Sequence, residues 1–587
     1  MGKFEIKDDF YINEDKIKII SGALHYFRVV PEYWRDRLEK LKTLGCNTVE
    51  TYIPWNIHEP KKGEFDFTGS KDVVKFVKLA EELGFLVILR PSPYICAEWE
   101  FGGLPAWLLK DDTMRVRSNH EGYLKAVDDY YAELFKHIAP LQITNGGPVI
   151  MMQVENEYGS FGNSKTYLKT IKDLMIKHGT TVPLFTSDGA WEEALEAGTI
   201  MNEGVFPTAN FGSRSIEQMG NLKEFIKKGP LMCMEFWIGW FDNWGGEHKR
   251  RDPEDATKEF DDLLKLGHAN VYMYHGGTNF GFMNGCSLHG EIDPQTTSYD
   301  YDALLTEWGD ITSKYEGFKS VISKYREIPE VQFSTTIKKV NLGEVKLTRK
   351  VSLFNTLDTL SKPVYSENTL NMEKLDQNYG YILYRSNLGK KRDLEKFKIV
   401  SADDRVQLFV NQNHITTQYQ TTLGENIPIS LDKENDNIVD ILVENVGRIN
   451  YGAKLVSTSQ RKGIKDGVMV DIHYHSGWNH YSLELNNIEN IDFSLGYKEN
   501  TPAFYEYTFN ISEDNMGDTF LNLEGFGKGS AFINNFNLGR FWEIGPVNYL
   551  YIPAPLLKKG ENKIIIFETE GKYADIIKLQ DTPSYSK

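Results

Sequence analysis

Glu157 and Glu235 stand 78 residues apart, each at the end of an apolar run. The first run is Pro148 to Met152, within Gly146–Gly159 (GGPVIMMQVENEYG). The second is Leu231 to Phe236, which carries Glu235 and leads into Trp237-Ile238-Gly239-Trp240. Carboxylates at the end of a buried strand are costly unless they are paired or used. Two of them facing each other across a bound sugar can cleave a glycosidic bond. At a separation of roughly 5 Å one serves as nucleophile and the other as acid, then base. The nucleophile's charge keeps the acid protonated near neutral pH. When that charge disappears in a covalent intermediate, the same group is free to act as base.

Other polar and aromatic clusters also follow apolar runs: Thr51 to Pro60, Arg90 to Glu100 followed by Phe101-Gly102-Gly103, and Tyr274 to Gly281. Carboxylates and indoles converging on one mouth make the composition of a sugar pocket. Glu155 lies two residues from Glu157 and would share its face on a regular strand. We assign it to the scaffold, on the view that strand ends are rarely regular, and treat Glu59 and Glu100 likewise. His25, His58 and His275 have no zinc-site spacing, so no metal is expected. Cys96 and Cys233 near the site read as apolar filler rather than nucleophiles. Gly276-Gly277 lacks a phosphate-loop pattern, and no cofactor is expected.

Something must carry these residues to one place. Eight strand-like runs occur at Ile17–Phe27, Thr48–Trp55, Phe85–Arg90, Pro148–Val154, Val182–Thr186, Gly204–Phe211, Leu231–Phe236 and Asn270–Tyr274. Helical spacing lies between most of them: Trp34, Leu38, Leu41 and Leu44 after Pro31, then Val73, Phe76, Val77 and Ala80 before Gly84. Eight such units in about 260 residues predict a (β/α)8 barrel whose C-terminal mouth holds the chemistry. Glu157 and Glu235 then follow the fourth and seventh strands, across the barrel from each other.

After about Pro329 the helical period gives way to short Val/Ile/Phe/Tyr runs broken by Gly, Asn and Asp, the pattern of antiparallel sandwiches. Val406–Asn411 resembles Ser530–Asn534, and Asn437–Glu444 resembles Lys563–Glu568, at offsets of 123 and 124. Two copies of one β-sandwich module account for this. The expected organisation is a catalytic barrel over 1–330, a linker with some strands over 331–376, a first β-sandwich over 377–495 and a second over 496–587.

Composition narrows the partners. The 587 residues carry 83 Asp and Glu against 66 Lys and Arg, a net charge of −17. That argues against nucleic acid and anionic membranes. Aromatics make up 13% of the chain, which suits stacking on sugars. No signal-like h-region begins the sequence and no run of 18 apolar residues occurs, so a cytoplasmic location is expected. Four scattered cysteines imply no disulfide framework.

The strings HYFR, TYIPWNIHEP, RPSPYICAEWEFGGLPAWLL, GGPVIMMQVENEYGSFG, MCMEFWIGW, MYHGGTNFGFMNG and TSYDYDALLTEWGD resemble glycoside hydrolase family 35 β-galactosidases. Near the C-terminus GRFWEIGPVNYLYIPAPLLKKGENKIIIFE resembles that family's last β-domain, so the likeness covers nearly the whole chain. The resemblance implies a retaining, exo-acting enzyme with Glu157 as acid/base and Glu235 as nucleophile. It implies that Asn156 holds the sugar 2-hydroxyl, and that Tyr52, Ala97, Glu98 and Tyr301 contact galactose with Cys96 lining the pocket. Glu98 would be the acceptor that recognises the axial 4-hydroxyl.

The short length resembles the compact bacterial branch, which favours β-1,3-linked galactose on N-acetylglucosamine or N-acetylgalactosamine. Trp240, Trp244 and Tyr451 match its leaving-sugar aromatics, Tyr451 being equally readable as sandwich core or interface. The expected partner is a galactosyl oligosaccharide, with a homodimer left open. A galactose-binding protein with an inactive barrel, a β-glucosidase and a transgalactosylase remain as alternatives.

Overall fold

The computed structural model describes residues 2–586 except 289, 331, 335 and 391–395, so residues 331 and 335 of the expected linker lie outside it. Eight parallel strands close a barrel: β1 Ile20–Leu24, β2 Thr48–Tyr52, β3 Leu86–Arg90, β4 Val149–Gln153, β5 Leu184–Gly189, β6 Phe206–Phe211, β7 Met232–Trp237 and β8 His268–His275. Each falls on one of the eight runs expected from the sequence. A helix follows every strand, from Trp34–Leu44 after β1 to Ser313–Ile322 after β8. The helix Val73–Glu82 shows why the spacing was readable. Its buried residues are Val73, Phe76, Val77 and Ala80, and the Asp72 side chain accepts from the Lys75 N–H to cap its first turn. Strands buried on both faces read as continuous apolar runs, and β4 is buried at all five positions.

Beyond the barrel the chain forms all-β domains. A six-stranded sheet contains β9 Arg405–Val410, β10 Asn413–Gln418 and β11 Ile438–Glu444. An eight-stranded sheet contains β12 Lys528–Ile533, β13 Phe536–Trp542 and β14 Gly560–Glu568. The repeated sequence corresponds to a repeated motif. β9 pairs with β10 and β11, as β12 pairs with β13 and β14. Each hairpin turns through two residues of positive φ, Asn411-Gln412 in one copy and Asn534-Asn535 in the other. That is the requirement of a two-residue turn matching strand twist.

The segment expected as linker does more than connect. Gly343–Ser352 pairs with Ala503–Ile511 on one side and Ile576–Gln580 on the other, inside the eight-stranded sheet. Its alternating exposed and buried residues gave only a weak signal in the sequence.

Candidate active site

The backbone at the barrel mouth departs from regular strand where the chemistry sits. β7 shifts register between Cys233 and Glu235 against β6, and again between Cys233 and Phe236 against β8. Such irregularities re-aim side chains beside active sites. After β4, Glu155 and Glu157 both take left-handed conformations, with φ of 56° and 45°. Alternation therefore fails there, and the two carboxylates part company. Cys96, Ala97 and Glu98 are left-handed in succession, each at a cost on the order of 1–2 kcal/mol. Hydrogen bonds hold this turn: Arg28 Nη2 donates to Ala97 O, and the Gly285 N–H donates to Glu98 O at 2.8 Å.

A cavity of about 290 Å³ opens at this mouth. Tyr52, Cys96, Ala97, Glu98, Asn156, Glu157, Glu235, Trp240, Tyr301 and Tyr451 all line it. Trp244 does not. Its side chain is buried, and its backbone N–H donates to Pro294 O at 3.0 Å. The indole at 244 is thus placed in the protein's own packing rather than in the pocket. The cavity also takes Ile95, Trp237, Phe241, Tyr272, Ser287 and Asn450, which sequence reasoning missed. Trp237 and Phe241 flank Trp240 in the chain, so their neighbourhood was the available signal. Tyr272 lies on the eighth strand-like run, whose apolar pattern did not mark it as a pocket residue, and Ser287 lay in a segment that gave no signal.

Glu235 is gripped through both oxygens. Arg90 Nη1 lies 2.7 Å from its Oε1, Tyr52 OH lies 2.5 Å from the same oxygen, and Trp237 Nε1 donates to Oε2 at 3.1 Å. Arg90 is fully buried and spans the site, donating also to Gln153 Oε1 at 2.6 Å and Asn156 Oδ1 at 2.7 Å. Asn156 Oδ1 further accepts from Gln153 Nε2 at 3.0 Å. Tyr52 OH is 2.9 Å from that oxygen too, but one hydroxyl proton serves only one acceptor at a time. With its oxygen so occupied and one Nδ2 proton turned to Ile95 O at 3.5 Å, Asn156 offers a ligand its other Nδ2 proton.

Glu157 has a different environment. Its Oε1 accepts from Asn210 Nδ2 at 3.0 Å. Burial raises its pKa, the negative charge of Glu235 raises it further, and the Asn210 hydrogen bond opposes both. It is therefore the proton-carrying member of the pair. Glu155 takes no part: Arg117 holds both its oxygens at 3.1 and 2.8 Å, and Tyr167 OH donates to Oε1 at 2.7 Å.

Glu98 accepts from Tyr299 OH, whose ring carries the Arg28 guanidinium at 3.7 Å. Burial pushes the Glu98 carboxyl up to about 7, against the pull of Tyr299 and Arg28. The thiols of Cys96 and Cys233 are pushed well up by burial and stay protonated. His58 is occupied by Tyr26 OH at 2.6 Å and Asp66 O at 2.8 Å.

The lid of the pocket comes from the first β-domain. The loop after β11 lays Ile449 beside Cys286, and Tyr94 OH donates to Asn450 O at 2.5 Å. Arg448, buried, bonds Glu100 Oε1 and Glu373 Oε1, each at 2.6 Å. Gly447 has φ of 125°, and a Cβ there would stand 2.7 Å from Asn284 O, so only glycine permits this approach.

A pocket at the C-terminal mouth of a (β/α)8 barrel, with one arginine-bound glutamate and one whose pKa is raised by burial and by its neighbour's charge, defines a glycoside hydrolase. The comparisons agree. Residues 9–325 match the model of Glycosyl hydrolases family 35. Residues 369–484 match the beta-galactosidase first all-beta domain, and 502–562 the beta-galactosidase galactose-binding domain. Human Beta-galactosidase-1-like protein 2 is 40% identical over 98% of this chain and 90% of its own. Beta-galactosidase 17 of Arabidopsis thaliana is 38% identical over 98% and 88%. The Beta-galactosidase of Xanthomonas manihotis is 39% identical over 91% and 88%. The chain belongs to glycosyl hydrolase family 35. Animal, plant and bacterial relatives stand at nearly equal identity, so these values do not assign it to a bacterial branch. Among the described residues no helix is long and apolar enough to cross a membrane.

Proposed function

We propose that this protein is an exo-acting retaining β-galactosidase that releases terminal β-D-galactose by double displacement. The observation that carries the reading is the unequal treatment of two carboxylates in one cavity: Arg90 binds Glu235, while burial and the charge of Glu235 raise Glu157. In the first step a Glu235 oxygen bonds the anomeric carbon as the bond to the leaving oxygen breaks. Glu157 gives its proton to that oxygen. The glycosyl ester removes the charge on Glu235, so the pKa of Glu157 falls. Glu157 then takes a proton from water as the water oxygen attacks the same carbon and Glu235 departs. Asn156 Nδ2 is available to the 2-hydroxyl. Glu98 is the acceptor available to the axial 4-hydroxyl. The names of the relatives and the matched domains support galactose as the sugar. A pocket roofed by Asn450 and Tyr451 suits a chain end, hence exo action. Trp240 and Tyr451 on its rim support a cyclic leaving sugar, and a β-1,3-linked N-acetylhexosamine is the preferred one in this reading.

Glu235→Gln should lower kcat on an aryl β-galactoside by roughly 10⁴-fold or more. NMR of the first product should show the β-anomer. An α-anomeric first product would sink the retaining mechanism, and faster turnover of the matching glucoside would sink the sugar assignment.

A further inference from the structure

A second groove of about 380 Å³ adjoins the catalytic pocket and shares two of its walls, Trp237 and Trp240. Its far wall is Trp191, just beyond β5, and its floor includes Asn210, the residue that donates to Glu157. We propose that this groove is a distal saccharide subsite, which binds the sugar beyond the leaving sugar of an oligosaccharide. The inference rests on the β-galactosidase reading and extends it from disaccharides to longer chains.

Three observations carry it. The first is exposure. Trp191 and Trp240 are 48% and 43% exposed, and each large apolar ring left in water is free energy available to a ligand. The apolar C–H face of a pyranose fits an indole, whereas a peptide helix needs a longer continuous apolar face. The second is preorganisation. Trp191 is seated on the backbone of Gly189, where an added Cβ would stand 2.0 Å from the indole. The opposite wall is fixed by Arg251 Nη1, which donates to Gly212 O at 2.6 Å and Trp237 O at 2.8 Å. A ligand therefore has little to order on binding.

The third is position and charge. The acid must touch the oxygen that joins galactose to the leaving sugar. The rest of the substrate then leaves the pocket on the side of Glu157, where Asn210 opens into the groove. The groove's charges are already paired, Arg251 with Asp255 at 2.9 Å and Arg214 with Glu217 at 3.3 Å. That selects a neutral sugar over an acidic one, with Arg214 and Gln218 as donors to its hydroxyls.

The test compares kcat/KM on three probes: an aryl β-galactoside, β-1,3-galactosyl-N-acetylglucosamine, and that disaccharide extended at its reducing end by galactose. The wild type should favour the trisaccharide over the disaccharide by roughly tenfold. Trp191→Ala should remove this gain while the other two rates change less than twofold, and Trp191→Phe should restore most of it. The subsite is overturned if the wild type shows no gain, if the gain survives Trp191→Ala, or if Trp191→Ala lowers all three rates alike. Failure of the wild type on every galactoside would instead overturn the underlying reading.

Discussion

The two β-modules share a three-strand motif yet differ at the residue that ends it. Glu444 closes β11 and Glu568 closes β14, at matching places in the two ladders: Glu444 opposite Arg405, Glu568 opposite Gly529. Both are buried. Around Glu444 stand Lys528 at 2.8 Å, Arg540 at 3.2 Å and Arg405 at 3.4 Å. Burial pushes its carboxyl up, but these cations outweigh it and hold it below the usual value of 4.5. Glu568 accepts instead from backbone N–H groups, including those of Glu570 and Lys572 at 2.9 Å each. Burial wins there, and its carboxyl rises to about 7. The chain after Glu444 runs on to the barrel as the Arg448–Tyr451 lid. The chain after Glu568 is folded back upon its own glutamate. One architecture thus yields a module that reaches the pocket and a module that braces it. The brace extends to the barrel, because Arg540 Nε also donates to Asn284 Oδ1 at 2.9 Å, beside the pocket segment that carries Ser287.

This contrast can be broken most directly at Glu444. Glu444→Gln takes the counter-charge from buried Lys528 and Arg540 and leaves Arg405 with Glu570 alone, which should cost about 3–5 kcal/mol. Chemical denaturation followed by tryptophan fluorescence would read it. The equivalent Glu568→Gln should cost far less. Equal losses would mean that the two positions are interchangeable and that the cation cluster is not what separates the modules.

A smaller effect is expected at the lid itself. Tyr451 is half-exposed at the pocket rim, with its hydroxyl pushed up to about 12 by burial and by the charge of Glu157. Tyr451→Ala should lower kcat/KM on the galactosyl disaccharide roughly tenfold, about 1.4 kcal/mol of transition-state binding. An aryl galactoside, whose leaving group presents no sugar ring to the rim, should lose much less. In the second module Tyr573→Ala, after β14, where the ring packs on Tyr505, should not discriminate between the substrates. If it does, the division between reaching and bracing fails.

Periodicity made the barrel legible, because strands buried on both faces and helices with one buried stripe leave distinct marks. The hairpin repeat was legible for a similar reason: apolar alternation and Asn-rich turns are local. Glu157, Glu235 and Asn156 could be singled out because they sit on or beside barrel strands. Ser287 and Asn450 could not. Their places in the pocket depend on contacts between segments far apart in the chain, such as the Cys286–Ile449 bridge. Trp244 shows the converse. An indole four residues from Trp240 has the right type for a sugar platform, but the loop carries it into the interior. Gly343–Ser352 was legible only as part of a linker with some strands, because a strand with many exposed charged residues leaves little apolar signal.

The smallest expected effect separates the two glutamates by sign rather than by size. The raised pKa of Glu568 means that the unfolded chain releases its proton near pH 4.5, whereas the folded chain holds it to about 7. Its contribution to stability is present below 4.5 and is lost as pH rises through that window. Glu444 behaves oppositely. Its pKa is lowered, so its contribution is present above 4.5 and is lost as pH falls below it. At pH 5, where Glu568 is still protonated in the fold, Glu568→Gln replaces one neutral acceptor by another and should cost about 1 kcal/mol. By pH 8 the wild type bears a buried charge that the variant lacks, so the cost should shrink or reverse. Urea midpoints of wild type and Glu568→Gln at the two pH values would measure the change. A cost that grows with pH would show that the backbone N–H groups hold Glu568 as an anion, and the two modules would then differ in their loops but not in their electrostatics.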